Sequence, residues 1–175
     1  MPKKLDIITL PDPVLRQVST SVERIDDELQ RLIDDMIETM HKAPGVGLAA
    51  IQVGVPRRLL VCDVAEEGQP PAPMAVINPE IVSLGPVTRE YEEGCLSIPD
   101  VRIDIERPST LTVRYTDRQG LRQEVAADGL LATVLQHEID HLEGKLIIDF
   151  LSRLKRDMIV KRFRKLKQAR ADHML

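Results

Sequence analysis

Apolar residues recur at Leu29, Leu32, Ile33, Met36, Ile37 and Met40, a helical spacing that predicts one amphipathic helix over Asp26–Met40. Ala43-Pro44-Gly45 ends it. Ahead of it, Asp12-Pro13 signals a turn and Val14–Val18 a short helical turn. From Arg58 the pattern changes to short branched runs between prolines and glycines, each predicting a strand: Arg58–Val64, Ala75–Ile77, Ile81–Leu84, Thr88–Glu93, Arg102–Ile105 and Thr110–Thr116. Arg122–Ala126 reads as one more, after a turn at Asp117–Gly120, and Glu66–Pro73 reads as an exposed loop. Helical spacing returns over Leu130–Leu142, where Leu131, Val134, Leu135, Ile139 and Leu142 are apolar and Gly144 is a stop signal. A last helix, Leu151–Ala169, carries Leu151, Leu154, Met158, Ile159, Phe163 and Leu166. This order predicts an α+β fold in a single domain over 1–175. Antiparallel sheets should pack around the helix at 130–142, with one helix N-terminal to them and one C-terminal.

Composition narrows the picture. The chain has 175 residues, enough for one core, with 43% hydrophobic and 30% charged residues. Two Tyr, two Phe and no Trp leave an aliphatic core and no stacking platform for single-stranded nucleic acid; no DNA partner is expected. No apolar run approaches the ~20 residues of a membrane span, and the first ten residues lack a signal-peptide pattern. The expectation is a cytoplasmic monomer whose two cysteines, Cys62 and Cys95, are reduced thiols. Charge is uneven. Residues 151–175 hold nine Lys/Arg against two Asp, a local +7 within a total of −4, so the other 150 residues carry −11. A basic segment, 151–170, on an acidic body suits a polyanionic partner, although charge runs are more often solvated faces.

Chemistry concentrates in Gln136-His137-Glu138-Ile139-Asp140-His141. On a helix, positions i and i+4 share a face, about 5–6 Å apart at Cβ. His137 and His141 can therefore turn to one metal ion, and Glu138 then lies close enough to take a proton from water activated there. The pattern predicts metal-assisted hydrolysis. A catalytic site usually takes a third protein ligand. Downstream, Glu143 points to a different helix face and His173 lies near the terminus. Upstream, Cys95 in Glu92-Glu93-Gly94-Cys95-Leu96-Ser97 offers a soft thiolate. The alternative for Cys95 is a buried inert thiol, a description that suits Cys62 in its apolar strand. Gly45-Val46-Gly47-Leu48-Ala49-Ala50-Ile51-Gln52 lets backbone approach a ligand closely, or simply terminates the helix before it. It matches neither the dinucleotide nor the phosphate-loop pattern.

Taken together and in this order, G-x-G-L-A-A-x-Q, E-G-C-L-S and Q-H-E-x-D-H-L-x-G resemble the bacterial peptide deformylases. Leu10-Pro11-Asp12-Pro13-Val14-Leu15-Arg16 and Ile77-Asn78-Pro79 extend the likeness to roughly residues 5–165. The resemblance implies removal of the N-formyl group from the formylmethionine of nascent polypeptides. It implies one divalent metal ion, Fe2+ in the cell with Zn2+, Ni2+ or Co2+ possible after purification, held by Cys95, His137 and His141. It gives Glu138 the role of general base, the Gln52 amide and the Leu96 N–H the stabilisation of the oxyanion, and Gly47 backbone contacts to the peptide. Val46, Tyr91, Leu130 and Val134 are candidates for the methionine pocket, core packing being their alternative. Asp140 is expected to support a ligand or the structure, and Arg102 to fix the acidic Glu92-Glu93 segment by charge. Because nascent chains emerge at the ribosome, the basic helix gains a ribosomal partner by the same resemblance. A peptidase of internal bonds would need a downstream ligand and a longer cleft, and a purely structural metal would need neither Glu138 nor Gln52.

Overall fold

The computed structural model describes residues 1–174. Helix α1 spans Asp27–Lys42, α2 Gly129–Leu142 and α3 Arg153–His173. The strands are β1 (Gly47–Ala49), β2 (Leu59–Cys62), β3 (Met74–Leu84), β4 (Thr88–Cys95), β5 (Ile98–Pro108), β6 (Leu111–Thr116) and β7 (Arg122–Ala127). They form an antiparallel sheet ordered β1-β2-β3-β6-β7 and a separate antiparallel hairpin, β4-β5. The α+β class and the three expected helices are therefore present.

Local chemistry explains the element ends. Asp26 caps α1, accepting from the Leu29 N–H at 2.9 Å. Ser152 caps α3 by accepting from Lys155 at 3.3 Å, so that helix begins at Arg153, two residues later than the apolar pattern suggests. Gly144 ends α2 in the left-handed region, φ 74°. A Cβ there would lie 2.5 Å from the Arg16 carbonyl oxygen, because the segment after the first turn passes directly over the helix end. The runs Ala75–Ile77 and Ile81–Leu84 prove to be one strand, β3, broken in register where Asn78 adopts φ 51° before Pro79. The Asn78 side chain stitches that bulge to Val22, accepting from its N–H and donating to its carbonyl. The stretch from Gly45 to Gln52 is not merely a helix-ending loop: it contains β1 and a 3-10 turn over Ala50–Val53.

Three apolar clusters hold the layers together. One packs α2 through Ala132, Leu135, Ile139 and Leu142 against Ala49, Leu60, Val76 and Val113 of the large sheet. A second packs α1 through Leu29, Ile33, Met36 and Met40 against the opposite face of β1 and β2 at Leu48, Leu59 and Val61. The third lies between the hairpin (Ile98, Ile103, Ile105), the first turn (Leu10, Leu15), a 3-10 turn over Ile147–Phe150 and Phe163 of α3. Most of these side chains are fully buried aliphatics, each contributing about 1.5–3 kcal/mol on burial. The helix α2 is thus enclosed between the large sheet and the hairpin.

A charged clasp closes the third cluster at its rim. Arg16 donates to both carboxylate oxygens of Asp149, at 2.7 and 2.9 Å, and to the Gly144 carbonyl at 3.2 Å. Burial alone would raise the Asp149 carboxyl, but Arg16 and the Leu146 N–H outweigh it and hold it below the usual range. A carboxyl depressed in the folded state stabilises the fold above its unfolded value of about 3.9, and the contribution is lost as pH falls through the folded value. Asp149→Asn is therefore expected to cost about 1 kcal/mol near neutral pH. The gap from the unmodified protein should narrow as pH falls from about 5 towards 3; urea unfolding of both proteins across that range checks it.

Candidate active site

The enclosed helix brings its functional residues to the hairpin. His137 and His141, one turn apart, have ring centroids 5.1 Å apart. Cys95 ends β4 at a break in register, where Gly94 still pairs with Arg102 but Cys95 pairs with Ile98. That irregularity turns the thiol towards the helix, with Sγ 3.4 Å from His141 Nε2. One ligand atom each from Cys95, His137 and His141 lies within 4.8 Å of the other two. A thiolate and two imidazoles converging at this spacing fit a tetrahedral divalent metal with its fourth position open. The expected alternatives lie elsewhere: Glu143 pairs with Arg58 at 2.7 Å, and Cys62 is buried in β2, where desolvation pushes its thiol up to about 12.

Glu138 lies beside this group. Its carboxylate is almost fully buried, and Oε1 has no hydrogen-bond partner. Oε1 lies 3.9 Å from Nε2 of both histidines. An unpartnered buried carboxylate oxygen is costly unless the site brings it a partner. Burial pushes this carboxyl up to about 7. Burial opposes charge on His137 too, but Glu138, Cys95 and Glu93 outweigh it and hold that imidazole well above its ordinary value; His141, buried and beside His137, is held well below.

Gln52 is held from the opposite side. Its Oε1 accepts the Ala49 N–H at 2.9 Å, which leaves Nε2 facing Ser97 Oγ at 3.0 Å and Cys95 Sγ at 3.7 Å. The amide therefore presents donors, not its oxygen, to Cys95 and Ser97. Leu96 follows Cys95 in the turn between β4 and β5, its side chain packed over Gly45. Gly47 lies against the catalytic helix: a Cβ would sit 2.7 Å from Glu138 Oε2 and 2.8 Å from Val134 Cγ1. Val46, Tyr91, Leu130 and Val134 all line one cleft of about 740 Å³, together with Gly47, Gln52, Cys95, Leu96, His137 and Glu138. Of the four pocket candidates only Val134 is buried; the other three stand at the mouth.

Two residues without an assigned role in the sequence hold the site in place. Glu93, buried, approaches His137 Nδ1 at 3.0 Å, leaving Nε2 for the ligand position. Arg107 grips Glu93 with Nε and Nη2, at 2.6 and 3.1 Å, and reaches Asp140 with Nη1 at 2.9 Å. Burial would raise Glu93, but hydrogen bonds from His137 and Arg107 prevail and hold it below the usual carboxylate range. The fixing of the acidic segment assigned to Arg102 thus belongs to Arg107; Arg102 lies across Gly94 on the exposed face of β5. A signal for Arg107 existed. On β5, Val101, Ile103, Ile105 and Arg107 alternate inward, and an arginine in a core-facing series requires a buried acid. Asp140 is the carboxylate that completes the pairing.

Known proteins resemble this chain in sequence and fold over nearly its whole length. The family model of polypeptide deformylase matches residues 4–157. Peptide deformylase of Rhizobium meliloti is 60% identical over 164 residues, covering 94% of each chain. The crystal structure of peptide deformylase from Ehrlichia chaffeensis in complex with actinonin superposes with a TM-score of 0.88, at 43% identity over 93% of this chain and 97% of that one. A peptide deformylase from Legionella pneumophila gives 0.86, at 45% identity over 96% and 98%. With its matched sequence, fold and convergent cleft, the chain belongs to the polypeptide deformylase family.

Proposed function

We propose that Cys95, His137 and His141 hold one divalent metal ion, Fe2+ in the cell, and that Glu138, Gln52 and Leu96 carry the hydrolysis of N-formylmethionyl peptides. The family activity is deformylation: water adds to the formyl carbon, the C–N bond breaks, and formate and a free methionyl amine result. The single observation that carries the residue roles is the partnerless, buried Oε1 of Glu138, 3.9 Å from both histidine Nε2 atoms. A bound divalent ion supplies Lewis acidity at that point. Thiolate and imidazole donors suit Fe2+ as well as Zn2+, Ni2+ or Co2+.

Glu138 takes a proton from the attacking water and returns it to the departing nitrogen. Both transfers need a carboxylate held without competing donors, which its buried position provides. The Gln52 Nε2, fixed by Ala49, and the Leu96 N–H donate to the oxygen that gains charge as the formyl carbon becomes tetrahedral. Strand β1 is an edge strand, and Gly47 lines the cleft, so an extended peptide can add alongside it through main-chain bonds. The methionine side chain then enters between Val134, Leu130, Val46 and Tyr91. Among the described residues no helix is long and apolar enough to cross a membrane, and we assign the enzyme to the cytoplasm as a monomer. Helix α3 carries its basic side chains outward, Arg153, Lys155, Lys161, Arg164 and Lys165 among them, which suits weak docking on ribosomal RNA phosphate.

Formate release from an N-formylmethionyl tripeptide by anaerobically prepared Fe2+ protein tests the reading. Release is expected, with none from the unformylated peptide. Glu138→Gln should lose about 10³-fold or more while still binding one metal per chain; loss of metal with activity retained would overturn the assignment. Gly47→Ala is expected to lower kcat/KM by about 10²-fold, since its Cβ displaces Glu138 by a fraction of an ångström to an ångström. For the ribosome, replacing Lys155, Lys161 and Lys165 by Gln in the full chain should weaken co-sedimentation and flatten its dependence on salt. Unchanged co-sedimentation would remove α3 from the interface.

A further inference from the structure

The guanidinium of Arg107 has one more neighbour. Its Cζ lies 4.8 Å from the centroid of the Phe150 ring. Phe150 ends the 3-10 turn over Ile147–Phe150, two residues before Ser152 caps α3. The backbone there is fixed from both sides. Asp149 is clasped by Arg16, and Ile147 and Ile148 are buried against the hairpin and Phe163. The ring has little freedom to leave Arg107, although half of it is exposed to solvent.

We infer that Phe150 is a positioning residue for the metal ligand His137, acting through Arg107 and Glu93. The inference rests on the metal-centre reading above. Arg107 holds Glu93 with two N–H groups and Asp140 with a third, and Glu93 in turn holds His137 Nδ1. The guanidinium plane sets where Glu93 sits, and the ring over that plane limits its rotation. With the ring covering one face, the cation is only 8% exposed. A cation over an aromatic face is attracted by the ring quadrupole, most strongly where both are desolvated. With an aliphatic side chain in its place, water reaches the guanidinium and competes for Glu93. The carboxylate then has more than one position, and so does the imidazole that depends on it. A carboxylate that orients such an imidazole typically alters metal affinity by about 10–100-fold when it is removed, and Phe150 stands two contacts beyond Glu93.

The foot of α3 is thereby joined to the metal centre by a chain of four groups: ring, guanidinium, carboxylate, imidazole. Only the last touches the metal, so Phe150 should affect retention of the ion before it affects the fold.

The test uses the full chain loaded with Co2+, comparing the unmodified protein with Phe150→Leu, Phe150→Tyr and Phe163→Leu. The last thins the neighbouring apolar cluster without touching Arg107. Release of Co2+ to a chelator is expected to be about 3–10-fold faster in Phe150→Leu, with shifted d–d absorption, and unchanged in Phe150→Tyr. In the metal-free proteins, exchange of the Arg107 Nε–H with solvent, followed by NMR, should quicken in Phe150→Leu alone. Equal release and equal exchange in Phe150→Leu and the unmodified protein would overturn the inference. Equal acceleration by Phe163→Leu would also overturn it, by showing general loosening. Failure of the unmodified protein to bind one Co2+ per chain would instead remove the metal-centre reading on which it stands.

Discussion

A single buried cation holds the two halves of the site together. Arg107 comes from the hairpin and Asp140 from α2, and Glu93, on the neighbouring strand, faces His137 across the same gap. In a low-dielectric interior none of these charges is tolerable alone, and stripping one partner from such a buried pair typically costs about 3–5 kcal/mol. The pairing therefore fixes the register of the hairpin against the helix, within the apolar packing around it. Everything that depends on Cys95 meeting His137 and His141 depends on that docking, since the thiol and the imidazoles belong to different elements. The same residues give His137 its orientation, so the structural tie and the orientation of the ligand are one interaction.

The helices are legible in the sequence because their apolar spacing is regular and ends such as Asp26 and Gly144 carry conventional signals, whereas the Ser152 cap is not read from the apolar pattern. The two histidines were legible for the same reason, being a helical pair. Strand β1 was not: three residues are too few for an alternation to show, and its glycine suggested a loop. Strand β3 reads as two strands because Asn78-Pro79 breaks the pattern, although the chain continues through the bulge. Cys95 is a candidate ligand from its chemistry alone, but its selection, and the role of Gln52, come through the family resemblance, because their meeting with the helix is a long-range event. No local rule fixes how a break in register at Gly94 will aim a thiol. Arg107 was the instructive omission: charge proximity in sequence favoured Arg102, but strand parity puts Arg102 outside and Arg107 inside.

The cleft divides its labour by element. The helix supplies the buried carboxylate of Glu138 and two imidazoles, all anchored by apolar neighbours that face the large sheet. The turn around Gln52 and the hairpin supply neutral donors, and Gln52 is held by its own oxygen so that it can only donate. Both sets already face one cleft. A site built this way stabilises developing charge without first reorganising its dipoles.

An open strand edge carries a hazard apart from catalysis, because it can template the strand of another molecule. Here β1 ends its sheet with an unpaired side, yet it runs only from Gly47 to Ala49. Pro44 and Gly45 precede it and a 3-10 turn follows at once. A sheet from a second copy would find too few consecutive bonds to hold on, whereas a few residues of extended chain are enough to fill the edge completely. The shortness of β1 thus offers little to a second sheet while leaving room for a short extended chain, whose main chain alone would be read, indifferent to what the protein behind it will become.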